Sequence, residues 1–141
     1  MTAARVATSR AAVLDASVMV AVLGKQRGHH RLTSVLVHTP TWWVCAANLA
    51  EAHWELSRIV EDGPSIVDGF CTALGVRVHP VEGADVRAVV DSYARWGQAP
   101  GQDGGLSWPD CFTVATCLAL HLPLLTLSPA FSSTDVTLLT W

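Results

Sequence analysis

The sequence predicts an α/β fold, a mostly parallel sheet with helices on both faces, and three observations predict it. Short apolar runs alternate with longer stretches whose apolar residues recur at helical spacing. Gly and Pro fall between these segments, where the chain must turn. Half of the 141 residues are apolar and 15% are charged, which suits one domain with a large core and some surface hidden against a partner.

Residues 1–10 are small and polar and read as a loose leader. AAVL (11–14) suits a buried parallel strand ending on Asp15. SVMVAVLG follows at once as a helix stopped by Gly24, so Asp15 sits at a strand–helix junction. After the polar turn KQRGHH, HRLTSVLVH is a helix up to the Thr39-Pro40 break. TWWVC (41–45) is aromatic and β-branched, a second strand. AANLAEAHWELSRIVED is a helix, with Leu49, His53 and Leu56 on one stripe and Ala52, Ile59 and Val60 on the next. Pro64 opens another, SIVDGFCTALG, which Gly75 closes. VRVHPV (76–81) alternates as a strand does, and a helix runs from about Ala84 to Trp96, stopping at Gly97. Residues 97–107 (GQAPGQDGGLS) form the Gly-rich segment, expected to be a mobile loop. Ser107 caps a further helix with Pro109 in its first turn. PLLTL (123–127) is a strand, and VTLL (136–139) a candidate last one.

Three acids stand out against this background. Asp15 ends an apolar strand, where an unpaired charge is costly to bury, and ligands of open α/β sheets sit beyond the carboxyl ends of strands. Asp is equally a favoured N-cap at such a junction. Glu51 lies early in its helix among Ala47, Ala50 and Ala52, with Glu55 four residues on and able to share its face. Asp110 falls in the first turn of the helix after the Gly-rich loop. The latter two also read as acids complementing a helix dipole. Taken together, the three positions converge on one edge of the sheet. Carboxylates brought close repel unless a divalent cation sits among them, and hard oxygen ligands suit Mg²⁺ or Mn²⁺. Such a site activates water and clamps a phosphodiester.

The formal net charge of −3 gives no global field for nucleic acid, so a nucleic-acid enzyme here needs a local basic rim, a bound cation, or both. Lys25, Arg27, His29, His30 and Arg31 are the densest basic stretch, either a solvated turn or that rim, with Arg27 and Arg31 as candidate RNA contacts. Six tryptophans invite a stacking role, but Trp42 and Trp43 face opposite ways in a strand, and Trp54 and Trp96 fall on amphipathic helices, where packing is the simpler account. Trp108, between the loop and Asp110, is the candidate for substrate contact. The four cysteines form no CxxC pair and read as reduced core thiols, and the histidines form no HxxxH, so structural zinc is not expected. Arg5 and Arg10 ahead of AAVLDASVMVAVLG imitate a secretion signal, but Asp15 interrupts it and no cleavage site follows. No run reaches the roughly 18 apolar residues of a membrane span. A cytoplasmic protein is expected. A phosphoacceptor domain built on Asp15 is disfavoured, since such domains need a further acidic pair and a lysine, and the sole lysine is Lys25.

VLDAS (13–17) resembles the opening strand and D-x-S of PIN domains, and NLAEA (48–52) resembles their second acidic position. GLSWPDCFTVATCLALHLPLLTL (105–127) is similar to the corresponding segment of bacterial VapC toxins, and AFSSTDV (130–136) to their F-S-x-T-D ending. The ordered set covers nearly the whole chain. The resemblance implies a three-layer α/β/α sandwich spanning residues 1–141. It implies Mg²⁺- or Mn²⁺-dependent RNA cleavage leaving a 5′-phosphate and a 3′-hydroxyl, a VapB-like antitoxin that blocks the site, and a homodimer. Carried over by motif, Asp15, Glu51 and Asp110 hold metal, and Ser17 supports the site by hydrogen bonding. One departure matters: a further acid common after the last main strand is missing from LLTLSPAF. Asp135 is a candidate replacement, Ser128 another acting through water, and Asp103 a remoter one. The loss also leaves open a second reading, an impaired PIN fold that acts by binding an antitoxin or RNA.

Overall fold

In the computed structural model, which describes residues 9–99 and 104–141, the apolar runs at 11–14 and 41–45 are strands β1 (Ala11–Leu14) and β2 (Thr41–Cys45). They pair in parallel, Ala11 opposite Thr41 and Val13 opposite Trp43. β3 (Arg77–His79) extends the sheet beyond β2 and β4 (Leu124–Leu125) pairs with the other side of β1, giving the order β3-β2-β1-β4. Every pairing is parallel, so all four carboxyl ends share one edge of the sheet, with β1 near its middle.

Parallel strands need crossovers, and six helices supply them. α1 (Ala16–Leu23) and α2 (His29–His38) connect β1 to β2. α3 (Ala46–Ser57) and α4 (Gly63–Leu74) connect β2 to β3. α5 (Val86–Trp96) and α6 (Trp108–Leu120) connect β3 to β4. The period-2 alternation of the strands then divides the interior. Ala12, Leu14, Trp42, Val44 and Leu125 pack on one side with Val18, Met19, Leu32 and Leu36. Val13 and Leu124 pack on the other with Val89, Val114, Cys117 and Phe131. Two cores flanking one sheet make the three layers that the sequence implied. The paired tryptophans follow the same rule: Trp42 is fully buried and its indole N–H donates to the Leu36 carbonyl at 2.9 Å, while Trp43 packs against the opposite core.

The structure departs from the sequence reading at the end of the third helix and in three strands. The third helix ends at Ser57 rather than running to residue 62, because the chain doubles back: Asp62 is left-handed (φ 56°), and a Cβ on Gly63 would lie 2.7 Å from the Ser57 nitrogen. Ile59, past that end, is exposed, and so is Trp54 within the helix. The strands at 76–81 and 123–127 shrink to three and two residues, the latter because the chain leaves the sheet at Thr126 for a 3₁₀ turn, Pro129–Ser133. The tail at 136–139 adds only a bridge between Leu124 and Leu138. At the ends of the Gly-rich segment, Gln98 N–H donates to the Leu106 carbonyl (3.0 Å) and Leu106 N–H to that of Trp96 (2.8 Å), while residues 100–103 of the expected mobile loop lie outside the described residues. Asp103 and most of the leader lie outside the described residues. Among the described residues no helix is long and apolar enough to cross a membrane.

Candidate active site

Asp15 is placed by the single-residue step from β1 to α1, where its extended backbone (φ −90°, ψ 149°) makes it the cap of α1. Its side chain is 2% exposed. Oδ2 accepts from the Ser17 N–H (3.3 Å), the Ser17 hydroxyl and the Thr126 hydroxyl (2.8 Å). Oδ1 is buried with no partner among the described residues. Burying a charged oxygen without a donor is unfavourable, so one half of this carboxylate is fastened and the other held ready for a ligand.

Glu51 is positioned by Asn48, one turn earlier on α3. Asn48 is fully buried, its Oδ1 accepting from the Ala16 N–H at 2.6 Å and its amide nitrogen donating to Glu51 Oε2 at 2.9 Å. Asp110 stands in the first turn of α6 in a reciprocal box with Ser107. The Ser107 N–H donates to Asp110 Oδ2 (3.0 Å), and the Asp110 N–H to the Ser107 hydroxyl oxygen (3.3 Å).

Asp15, Ser17, Glu51, Glu55, Ser107 and Asp110 line one cavity of about 450 Å³. Burial, then the charges of Asp110, Asp15 and Glu55, push Glu51 from its ordinary 4.5 up to about 7. Burial also raises Asp110, opposed by its Ser107 hydrogen bonds and reinforced by Asp15. As placed, no three His, Cys, Asp or Glu side chains among the described residues are grouped tightly enough to enclose an ion. The all-oxygen donor set and the unpartnered Oδ1 fit a hard divalent cation.

The other residues singled out in the sequence divide. Ser17 is in the site, donating to Asp15 and accepting from the Leu127 N–H at 3.0 Å. Ser128 lines the cavity while capping the 3₁₀ turn, its N–H donating to the Thr126 hydroxyl oxygen (3.0 Å). Asp135 is not brought there. The 3₁₀ turn intervenes, and Asp135 is exposed, 3.3 Å from Arg95 and beside a separate groove lined by Cys117, His121 and Pro123. Arg27 is exposed in the turn after α1, next to Gln26, which lines the cavity. Arg31 is exposed on α2 with its guanidinium 5.7 Å from the Trp141 ring centre. Trp108 is half exposed beside Ser107.

Sequence reasoning missed Asn48 and Thr126. Both carried a signal: Asn48 is a polar residue three positions before Glu51, hence on its helix face, and Thr126 is the hydroxyl within an otherwise aliphatic strand run.

Residues 12–136 match the PIN domain family. A VapC ribonuclease of Mycobacterium bovis and the ribonuclease VapC42 of Mycobacterium tuberculosis are each 26% identical to the chain over 127 residues, covering 88% of it and 95% of the relative. In fold, the chain is similar to the Sarcin-Ricin loop cleaving toxin VapC20 of Mycobacterium tuberculosis, with a TM-score of 0.72 at 15% identity over 89% of this chain and 95% of that one. It is similar also to VapBC2 of Rickettsia felis bound to a DNA fragment from its promoter, with a TM-score of 0.65 at 14% identity over 92% and 97%. With the family matched across nearly its whole length, the chain belongs to the PIN domain family.

Proposed function

We propose that this chain, as one domain, is an endoribonuclease toxin that hydrolyses RNA phosphodiesters with Mg²⁺ or Mn²⁺ held by Asp15, Glu51 and Asp110. The observation that carries the proposal is the buried, unpartnered Oδ1 of Asp15 in a cavity shared with two further carboxylates that stand above their ordinary range. When bound, a divalent cation supplies charge neutralisation and activation of water. The chain's own work is positioning. Ser17 and Thr126 fix Oδ2 of Asp15, Asn48 locks Glu51 to the start of α1, and Ser107 fixes Asp110, so the acids lose little freedom on loading. In this reading Arg27, exposed next to cavity-lining Gln26, and Arg31, exposed on the helix after it, are the contacts for RNA phosphates.

Relatives are named as VapC ribonucleases, and a fold neighbour as a toxin–antitoxin complex of Klebsiella pneumoniae. These support a VapB-like antitoxin as partner, and we propose a homodimer as the functional assembly. Four free cysteines suit a reducing compartment, and we place the protein in the cytoplasm. Purified protein incubated with total RNA and Mn²⁺ should cleave it, and Asp15→Asn should lower the rate by at least ~100-fold, the scale of losing a transition-state interaction. Equal cleavage by the variant overturns the assignment.

The second reading, an impaired PIN fold that acts by binding, rests on the position where the PIN resemblance leads one to expect a further acid. Here Ser128 lines the cavity, and Asp135 lies elsewhere. It predicts negligible Mn²⁺ uptake by calorimetry with partner binding intact. Mn²⁺ affinity that disappears in Asp110→Ala counts against it.

A further inference from the structure

α6 opens on a stacked aromatic pair, one residue past Ser107, which lines the acid cavity. Trp108, the first residue of the helix, is 49% exposed and lies face to face on Tyr93 of α5, with ring centres 4.0 Å apart and planes 7° from parallel. The pair is held from beneath. The Tyr93 hydroxyl donates to the Gln98 carbonyl at 3.1 Å. A Cβ on Gly97 would stand 2.3 Å from the Tyr93 carbonyl oxygen and 2.7 Å from its ring. Gly105, at φ +88°, brings its backbone within 3.0 Å of Gln98 and Gly97, measured from where its Cβ would stand. The two backbone bonds between 96–98 and Leu106 close this base.

Two close glycine approaches and the hydroxyl tether fix Tyr93, and on its ring lies an indole that the fold leaves half in water. Tyr93 covers one face, which leaves the opposite face for another flat partner. The location narrows the choice: Ser107, one residue before, and Asp110, in the same turn, both line the cavity.

We propose that Trp108 is a base platform, stacking on an unpaired nucleotide of the RNA whose backbone enters the acid cavity. The proposal rests on the nuclease reading for the identity of that strand. Every base has a π-face, so the platform selects for unpaired bases rather than for sequence. In a duplex both faces of a base are already stacked, so paired RNA is excluded and single-stranded or looped RNA is the substrate class.

The test uses the full chain carrying Asp15→Asn, in Mg²⁺, so that binding is read without cleavage. The probe is a short single-stranded RNA containing 2-aminopurine, whose emission falls on stacking, alone and annealed to its complement. The parent should bind the single strand with quenching, Trp108→Ala about tenfold or more weaker without it. Trp108→Phe should recover part of both, and Tyr93→Ala should fall between. The duplex should bind weakly and indifferently to Trp108. Unchanged affinity and quenching in Trp108→Ala, equal binding of the duplex, or no binding by the parent overturns the proposal. Should Trp108→Ala fail to fold, Trp108→Leu keeps the apolar bulk, and the comparison with Trp108→Phe decides. Trp108-dependent quenching in a chain that cleaves nothing with Mn²⁺ keeps the platform and removes the nuclease. Cleavage that Trp108→Ala leaves unchanged does the reverse.

Discussion

Asn48 is fully buried in the first turn of α3, and both ends of its amide are used, one on the Ala16 N–H and one on Glu51. The same side chain thus registers two helices and aims an acid. Removing it leaves the Ala16 N–H buried without an acceptor, which costs about 1–3 kcal/mol, and frees Glu51 to rotate. Asn48→Ala is therefore expected to lower the urea midpoint and to weaken RNA cleavage more than its stability loss explains at temperatures where it is fully folded. Asn48→Asp should be worse for Mn²⁺-free stability, since it sets a second carboxylate within hydrogen-bond distance of Glu51. Calorimetry and circular dichroism on the two variants separate these effects, and intact cleavage in folded Asn48→Ala would show that Glu51 needs no such anchor. Asp15, Glu51 and Asp110 were legible from the sequence because charge interrupts apolar pattern there. Asn48 and Thr126 were not, because an uncharged polar residue in a helix or strand declares its partners only once the fold brings them close.

At the scale of elements, the helix starts are where pattern and structure agree best. Ser107 and Pro109 announce α6, and the structure supplies the reciprocal box with Asp110 that their spacing allows. The end of α3 was not legible. Its apolar spacing continues past Ser57, but the return into α4 requires Gly63 to touch backbone, a contact made by residues that periodicity does not connect. The glycines of α4 make this testable. At Gly63 a Cβ would meet Ser57 and Leu56 backbone at 2.7–2.9 Å, whereas at Gly69 nothing lies within 4 Å. Gly63→Ala should destabilise the protein by about 1–3 kcal/mol through overpacking. Gly69→Ala, in the same helix, should stabilise it by about 0.5–1 kcal/mol through backbone entropy. Chemical denaturation reads both, and equal shifts in the two variants would mean that the return does not depend on that close approach.

Across the whole molecule, two cores hold a parallel sheet whose carboxyl edge gathers like charges, so the site opposes the folding that builds it. Glu51 makes that opposition measurable. Its folded-state value, about 7, lies above its ordinary 4.5, so folding favours the protonated form. The stabilising contribution is complete below about pH 4.5 and is lost as pH rises through about 7. The side chain is only half buried, and solvent screening reduces the effect to about 1–2 kcal/mol. Glu51→Gln removes the titration while keeping the shape and an acceptor. In EDTA, the urea midpoint of the parent should fall relative to that of Glu51→Gln between pH 5 and 8, with the gap widest at the alkaline end. Adding Mn²⁺ at pH 8 should raise the parent more than Glu51→Gln, which keeps Asp15 and Asp110 but lacks the third carboxylate. Parallel profiles in EDTA, with no widening gap, would mean that neither burial nor the neighbouring acids raise Glu51.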